Sequence, residues 1–153
     1  MRRSEKEIKD LEVIEAIMKE ALECRIGLCE DSKPYIVPMN FGYKDNCLYI
    51  HSALEGKKVE ILKKNNNVCF EVDIKNEVVK ANNPCGWSMK YLSVIGFGKA
   101  YFVEELAEKA EALNTIMDKY SGKADYEFSE VALKKVAVIK IEIEEITGKK
   151  STD

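Results

Sequence analysis

The residues best suited to chemistry lie in one short segment of the chain. A predicted strand ends in His51 and Ser52, two hydrogen-bonding side chains, and Gly56 then leads into Lys57 and Lys58 at the start of a predicted helix. A helix N-terminus presents unpaired amide N–H groups and a partial positive charge, to which lysine side chains add point charges. The segment predicts a site for a small phosphorylated ligand, and a solvated basic helix start is the alternative interpretation.

His51 is the only histidine of the chain. The unperturbed pKa of a histidine, about 6.5, suits proton transfer near neutral pH, and a hydrogen-bonded structural role is the alternative. Trp87 and Tyr91 offer aromatic rings on which a flat ligand could stack. The same two rings are equally suited to covering a core or a subunit interface.

The composition argues against several classes of protein. With 24 basic and 27 acidic residues, the net charge of −3 lacks the basic excess of a nucleic-acid binder. Five scattered cysteines and a single histidine give poor support to a metal site, and they predict reduced thiols in the cytoplasm. No apolar segment resembles a signal peptide or reaches the length of a membrane span. We therefore expect a single cytoplasmic domain over residues 1–153, with no metal, membrane or nucleic-acid partner.

Hydrophobic periodicity predicts the elements that hold these residues. The predicted helices cover residues 10–22, a short segment after Lys58, and residues 105–120. The predicted strands start at Cys24 and then cover residues 35–43, 47–51, 68–72, 87–103 and 135–146. The first three strands are predicted to form a meander, and Pro38 within them to lie at a sheet edge, a bulge or a ligand-facing opening.

Three further expectations concern irregular segments. Residues 73–83 are polar and predict an exposed loop or a weakly paired excursion. The pattern of the last strand changes near Val138 and Ile139, which indicates a β-bulge. The tail from about residue 148 to residue 153 is expected to be flexible.

Four segments carry a resemblance to a known family. They are IVPMNFGY, LYIHSALEGKK, VCFEVD and CGWSMKYLSVIGFGKA. In their order and spacing they are similar to the nitroimidazole-resistance (Nim-type) branch of the pyridoxamine 5'-phosphate oxidase-like superfamily, over about residues 3–148. The resemblance implies a mainly β fold, a six-stranded antiparallel FMN-binding split barrel with peripheral helices. It also implies a homodimer with FMN at the subunit interface.

The resemblance further implies which residues contact FMN. One strand would face the isoalloxazine ring with its backbone at Val37, Pro38, Met39, Asn40 and Phe41. Seven further residues are implied to contact FMN. They flank the flavin, bind its phosphate or reach it from elsewhere in the dimer, and they are His51, Ser52, Lys57, Lys58, Ser93, Trp87 and Tyr91. Of these, Trp87 and Tyr91 are expected to come from the partner subunit, and His51 matches the histidine with a mechanistic role in Nim proteins.

The chain also departs from the oxidase pattern. Leu92 and Ser93 stand where the oxidases have an arginine–glutamine pair, and no match to their pyridoxamine-phosphate-binding residues follows Lys140. These departures argue against vitamin B6 oxidation. The expected function is reduction of a small acceptor, such as a nitroimidazole-like or other nitro compound, with His51 as proton donor. The alternatives are a non-catalytic flavin-binding or redox-sensing module, or a split barrel that holds haem or deazaflavin.

Overall fold

The computed structural model describes residues 3–151. It is mainly β, with 46% strand and 30% helix, and its antiparallel sheet does not close. The eight strands are β1 Glu7–Ile8, β2 Cys24–Glu30, β3 Lys33–Met39, β4 Gly42–Lys44, β5 Cys47–Ser52, β6 Asn67–Val79, β7 Ser88–Val103 and β8 Ala137–Ser151. Their order across the sheet is β3-β2-β6-β7-β8-β5-β4, and β1 pairs with β8. The predicted fold class is confirmed and the sheet fits a split barrel, but it has eight described strands instead of six.

Helices surround the sheet. They are α1 Leu11–Glu20, α2 Lys57–Lys64, α3 Leu106–Ser121 and the short α4 Glu130–Lys134. The first three match the predicted helices, and α4 was not predicted. Helix α1 starts as expected, because the Asp10 carboxylate accepts a hydrogen bond from the Glu12 backbone N–H at 2.9 Å. None of the helices described within residues 3–151 is both long and apolar enough to cross a membrane.

The first hairpin explains the proline in β3. Strands β2 and β3 pair around Asp31 and Ser32, which both have positive φ, as the two central residues of a type I′ hairpin turn do. Strand β3 is the edge of the sheet. Pro38 therefore takes no hydrogen bond away from a neighbouring strand, and the prediction of an edge position is confirmed.

The predicted meander is wrong. The segment predicted as one strand over residues 35–43 is two strands, and β3 and β4 lie at opposite edges of the sheet. The chain crosses between the edges at Asn40 and Phe41. Phe41 is fully buried, and Gly42 packs so closely that an added Cβ would lie 2.8 Å from the Thr115 backbone of α3. The strand ends at Met39, although the apolar pattern of the sequence continues through the break.

Three other features of the strands differ from the sequence expectations. Residues 73–79 belong to β6, whose register against β7 shifts between Ile74 and Glu77, so this part of the predicted loop is strand. The bulge of β8 lies at Glu144, opposite the step from Phe97 to Gly98. Strand β8 also runs through residues 148–151, which were expected to be flexible, and the last two residues of that tail lie outside the described residues.

The predicted position of the β8 bulge was wrong for a physical reason. Val138 and Ile139 are both fully buried, because the start of β8 is covered on both faces. Two consecutive apolar residues there reflect two-sided burial with an unbroken register.

Helix α2 spans the gap between the two edges of the sheet. It directly follows β5 in the chain, yet it packs against the β2–β3 hairpin at the other edge. The Asn65 side chain, just after the helix, donates to the Cys29 carbonyl oxygen at 3.1 Å, and the Lys64 ammonium lies 2.9 Å from a Glu30 carboxylate oxygen. The α2 segment therefore brings the end of β5 close to β3, where the candidate site lies.

Candidate functional site

The predicted phosphate-binding segment lies at the junction of β5, α2 and β3. His51 and Ser52 are the last residues of β5 and pair with Val138 and Ala137 of β8. The His51 side chain is exposed, whereas its ladder partner Val138 is fully buried. The rigid ladder with β8 therefore fixes the backbone of His51 while its side chain stays accessible to a ligand.

Lys58 has an unusual electrostatic environment. Its side chain is half-buried, and this burial lowers the pKa of its ammonium group. The Nζ atom lies 3.1 Å from Met39 Sδ of β3, a weak acceptor. Within residues 3–151 no carboxylate forms an ion pair with Lys58. A partly desolvated cation without an anion is costly, so this position favours an anionic ligand.

Lys57 is arranged differently. Its Nζ lies 3.8 Å from a Glu30 carboxylate oxygen and 5.7 Å from the centroid of the Tyr35 ring. Glu30 also binds Lys64, and the two lysines lower the pKa of its carboxyl group. Lys57 is therefore already paired at the β2–β3 hairpin, whereas Lys58 is free for a ligand.

The start of α2 leaves backbone donors open. Gly56 precedes the helix with φ of +128°, and no side chain among residues 3–151 caps the first turn. The left-handed φ favours glycine at this position. The Ser52 hydroxyl donates to the carbonyl oxygen of Ala53 at 2.9 Å, so its oxygen can still accept. The open amides of α2 and the Lys58 ammonium together form a cradle for an oxyanion.

The electrostatics of His51 follow from the same cradle. Partial desolvation lowers the pKa of its imidazole, and the positive charge of Lys58 lowers it further. The imidazole is therefore neutral at pH 7, with one nitrogen able to donate and the other able to accept a hydrogen bond. An anion bound at Lys58 would oppose that charge and shift the pKa of His51 upward.

The β3 residues expected to face a ligand divide between two sides of the strand. Val37 and Met39 are half-buried and face the core, while Pro38 and Asn40 are exposed on the opposite side. The Cys24 thiol lies 3.6 Å from the Met39 carbonyl oxygen and holds the end of the strand. Phe41 is fully buried, so its ring belongs to the core and only its backbone can serve a surface site.

The remaining predicted residues lie elsewhere in this chain. Tyr91 and Ser93 are on β7, where they pair with Ser151 and Lys149, and Trp87 precedes the strand with 51% of its surface exposed. His51 pairs with Val138 of β8, and Val138 pairs on its other side with Val103 of β7. Val103 is twelve residues from Tyr91 on the same strand. At about 3.3 Å per residue this separation reaches about 40 Å along the strand. One chain therefore does not bring these residues to His51.

Sequence reasoning missed two residues that support the site. The Tyr120 hydroxyl and the Lys119 ammonium, at the end of α3, contact the backbone and ring of Phe41, respectively. They lie about eighty residues away in the chain, and in the sequence they are ordinary polar residues at a helix end. Only the packing of α3 against β4 reveals their position.

The chain matches a known family over nearly its whole length. The model of the pyridoxamine 5'-phosphate oxidase family matches residues 10–150. The chain belongs to this family. Among proteins with curated descriptions, none matches it. The family predicted from the sequence motifs is therefore confirmed.

Solved structures agree with this assignment. The chain is 38% identical to a protein of Bacteroides thetaiotaomicron proposed to be a 5-nitroimidazole antibiotic resistance protein, with a TM-score of 0.85 over 94% of this chain and 86% of that one. A flavocytochrome of Azotobacter vinelandii is 21% identical, with a TM-score of 0.86 over 100% and 72%. An FAD and haem binding protein of Mycobacterium smegmatis is 19% identical, with a TM-score of 0.87 over 97% and 74%. The last two show that the fold is shared.

In this member of the pyridoxamine 5'-phosphate oxidase family, the single histidine permits a direct test of the cradle. NMR titration of the imidazole should give a pKa below 6.5, and Lys58→Met should raise it because a positive charge is removed. Lys57→Met is the matched control, since Lys57 is paired with Glu30, and it should leave the His51 pKa nearly unchanged. An equal response to both substitutions would contradict the assignment of Lys58 as the neighbouring charge.

The same shift has a consequence for stability. The folded chain binds fewer protons at His51 than the unfolded chain between the lowered pKa and about 6.5. The free energy of unfolding should therefore decrease as the pH falls through this interval, and His51→Gln should remove that contribution in urea titrations.

Proposed function

We propose that this protein is an FMN-binding flavoprotein that reduces a small acceptor, such as a nitroimidazole-like or other nitro compound. The observation that carries the proposal is the half-buried ammonium of Lys58, beside His51 and without a carboxylate partner in the described part of the chain. Family membership supports it, as does the 38% identity to a protein proposed to be a 5-nitroimidazole antibiotic resistance protein.

The residues at the cradle fit the phosphate of FMN. A phosphate monoester carries close to two negative charges and several acceptor oxygens. Lys58 would supply the charge and the open amides of α2 would donate hydrogen bonds. The Ser52 hydroxyl would turn from the Ala53 carbonyl oxygen to donate to the phosphate. Lys57 would act from a distance, since Glu30 already holds its ammonium.

The ring of the flavin would lie along β3. In the described part of the chain, no strand lies along the outer side of this edge strand, and Pro38 and Asn40 leave its end exposed. The backbone groups on that side can hydrogen-bond the polar edge of the isoalloxazine ring. When bound, FMN supplies the redox chemistry, and the protein orients it and sets its surroundings.

A second copy of the chain would complete the site. Trp87, Tyr91 and Ser93 lie far from His51 within one chain, so their predicted contacts require a partner subunit. The outer face of the sheet is suited to bind one. The exposed apolar residues on this face, with their exposed fractions, are Ile36 (69%), Phe97 (50%), Tyr101 (46%) and Ile95 (42%).

Of these side chains, Ile36 and Phe97 border an open groove of about 670 Å³. Gly27 and Cys69 form its floor between Ile36 and Phe97. Large exposed apolar patches of this kind mark protein interfaces. We therefore propose a homodimer that buries this face.

The dimer can be tested by a charge placed in the groove. Phe97→Glu should convert the protein to a monomer and weaken flavin binding, because the partner's aromatic residues are lost. Val131→Glu, at a 63% exposed position on α4 away from the sheet face, is the matched control and should remain a dimer. Sedimentation equilibrium at micromolar concentration measures both, and a flavin-loaded monomer of the unmodified protein would refute the dimer.

The phosphate cradle predicts a preference for FMN over riboflavin. Lys58→Ala should weaken FMN binding by about 1–3 kcal/mol, the range for a charged hydrogen bond, and should leave riboflavin binding nearly unchanged. Lys63→Ala removes the same charge from the exposed end of α2 and serves as the control. Flavin fluorescence titration gives the affinities, and equal affinity of the unmodified protein for FMN and riboflavin would rule out the phosphate assignment.

His51 is the proposed proton donor. With a phosphate bound at Lys58, the pKa of the His51 imidazole would rise toward neutral pH. There the ring can transfer its N–H proton as well as donate it in a hydrogen bond. Its fixed backbone on β5 would keep the ring at the edge of the flavin.

The role of His51 can be separated from simple binding. His51→Ala should keep FMN but slow acceptor reduction by about 10²–10⁴, the usual contribution of a general acid. Rates are measured anaerobically with a nitro compound after chemical reduction, and are normalised to flavin absorbance. An unchanged rate per bound flavin would make His51 a binding residue only.

Two measurements distinguish the alternatives to this function. The absorption spectrum of the purified protein separates flavin from haem or deazaflavin. Anaerobic titration of the FMN-loaded protein with NADH and NADPH then separates an enzyme from a non-catalytic module, because the module would not be reduced.

A further inference from the structure

The crossing from β3 to β4 is not held by the hydrogen bonds of the sheet. Only Asn40 and Phe41 separate the two strands, and between them the chain passes from one edge of the sheet to the other. The backbone N–H of Phe41 is outside any strand ladder and therefore needs another acceptor. The position of this acceptor determines where the end of β3 lies.

Tyr120 supplies that acceptor. Its hydroxyl oxygen accepts from the Phe41 N–H at 3.1 Å and its O–H donates to the Leu22 carbonyl oxygen at 2.7 Å. One hydroxyl therefore joins three separate segments: the end of α3, the crossing, and the connection from α1 to β2. Neither Leu22 nor Phe41 is within 75 residues of Tyr120 in the chain.

Lys119 also holds the crossing, through the side chain of Phe41. Its Nζ lies 4.1 Å from the centroid of the Phe41 ring and donates to the carbonyl oxygens of Met18 and Lys19 at 2.6 and 3.0 Å. These carbonyls belong to the last turn of α1, where a cation is favoured. The Phe41 ring is thus held by the cation while its N–H is held by the hydroxyl.

We propose that Tyr120 is a positioning residue, whose hydroxyl holds the β3–β4 crossing in the geometry that the flavin ring requires. The inference rests on the proposed function, since the ring is assigned to β3. The phosphate cradle at Lys58 is built on α2 and β5, and the contact of Lys58 with β3 is the weak one from its Nζ to Met39 Sδ. Loss of the hydroxyl should therefore affect the ring end of the site and spare the phosphate end.

The substitution Tyr120→Phe removes the hydroxyl and keeps the ring. Tyr126→Phe is a closely matched control, because both tyrosines are 39% exposed. Tyr126 uses only its backbone N–H and carbonyl in hydrogen bonds to Asn114, and its hydroxyl has no partner among residues 3–151. The control therefore makes the same chemical change without breaking a contact.

Three quantities are measured on both variants and on the unmodified protein. The first is amide hydrogen exchange of Phe41 without ligand, which should accelerate by about tenfold or more in Tyr120→Phe only. The second is FMN affinity, which should fall by about three- to tenfold, the value of one or two neutral hydrogen bonds. The third is the affinity for inorganic phosphate, followed by the NMR signal of His51, which should change less than about twofold.

Each other outcome overturns the inference. Unchanged exchange at Phe41 would show that Tyr120 does not fix the crossing. Faster exchange with unchanged FMN affinity, or equal losses for FMN and phosphate, would show a general structural role without positioning. Failure of the unmodified protein to bind FMN would instead refute the proposed function, and the positioning role with it, whatever the exchange rates are.

Discussion

The site depends on how one positive charge is held. Placing the Lys58 ammonium in a half-buried position costs free energy, and the described part of the protein offers it a thioether in place of a carboxylate. Glu30, which pairs with the adjacent Lys57, also binds Lys64 and is therefore committed to other cations. Burial lowers the pKa of Lys58 itself, and burial together with the Lys58 charge lowers the pKa of His51, so proton affinity and anion affinity at the site are coupled.

The open sheet explains why the charge and the proposed ring site can be adjacent. In a closed barrel, β3 would hydrogen-bond β4 or β5, and no ligand could reach its edge. Here the edges remain apart, and α2 spans the gap while the crossing at Phe41 connects them. The gap leaves an edge strand and a helix N-terminus facing the same space. That geometry suits a ligand with a flat polar ring at one end and an anion at the other.

The residues of the proposed phosphate end could be predicted to lie together because they are contiguous in sequence. His51, Ser52, Gly56 and Lys58 lie within eight residues, so a strand end followed by a helix start was sufficient to place them together. The different roles of Lys57 and Lys58 could not be predicted, because they depend on Glu30 from another hairpin. The predicted meander was wrong for a similar reason. The neighbours of β3 and of β5 are set by the whole sheet, and the local apolar pattern continues through the break at Asn40.

The two ends of the site therefore differ in how they are built. The phosphate end is made mainly by neighbours in the chain, on β5 and α2, with a weak contact from Lys58 to Met39 of β3. The ring end is made by contacts over long sequence distances, from Tyr120 and Lys119 to the crossing at Phe41. Contacts of the second kind depend on complete folding of α3 against β4, so they have the larger entropic cost of formation. Substitutions far from the sheet edge, at the end of α3, can thus alter the ring end while the anion site keeps its charge and geometry.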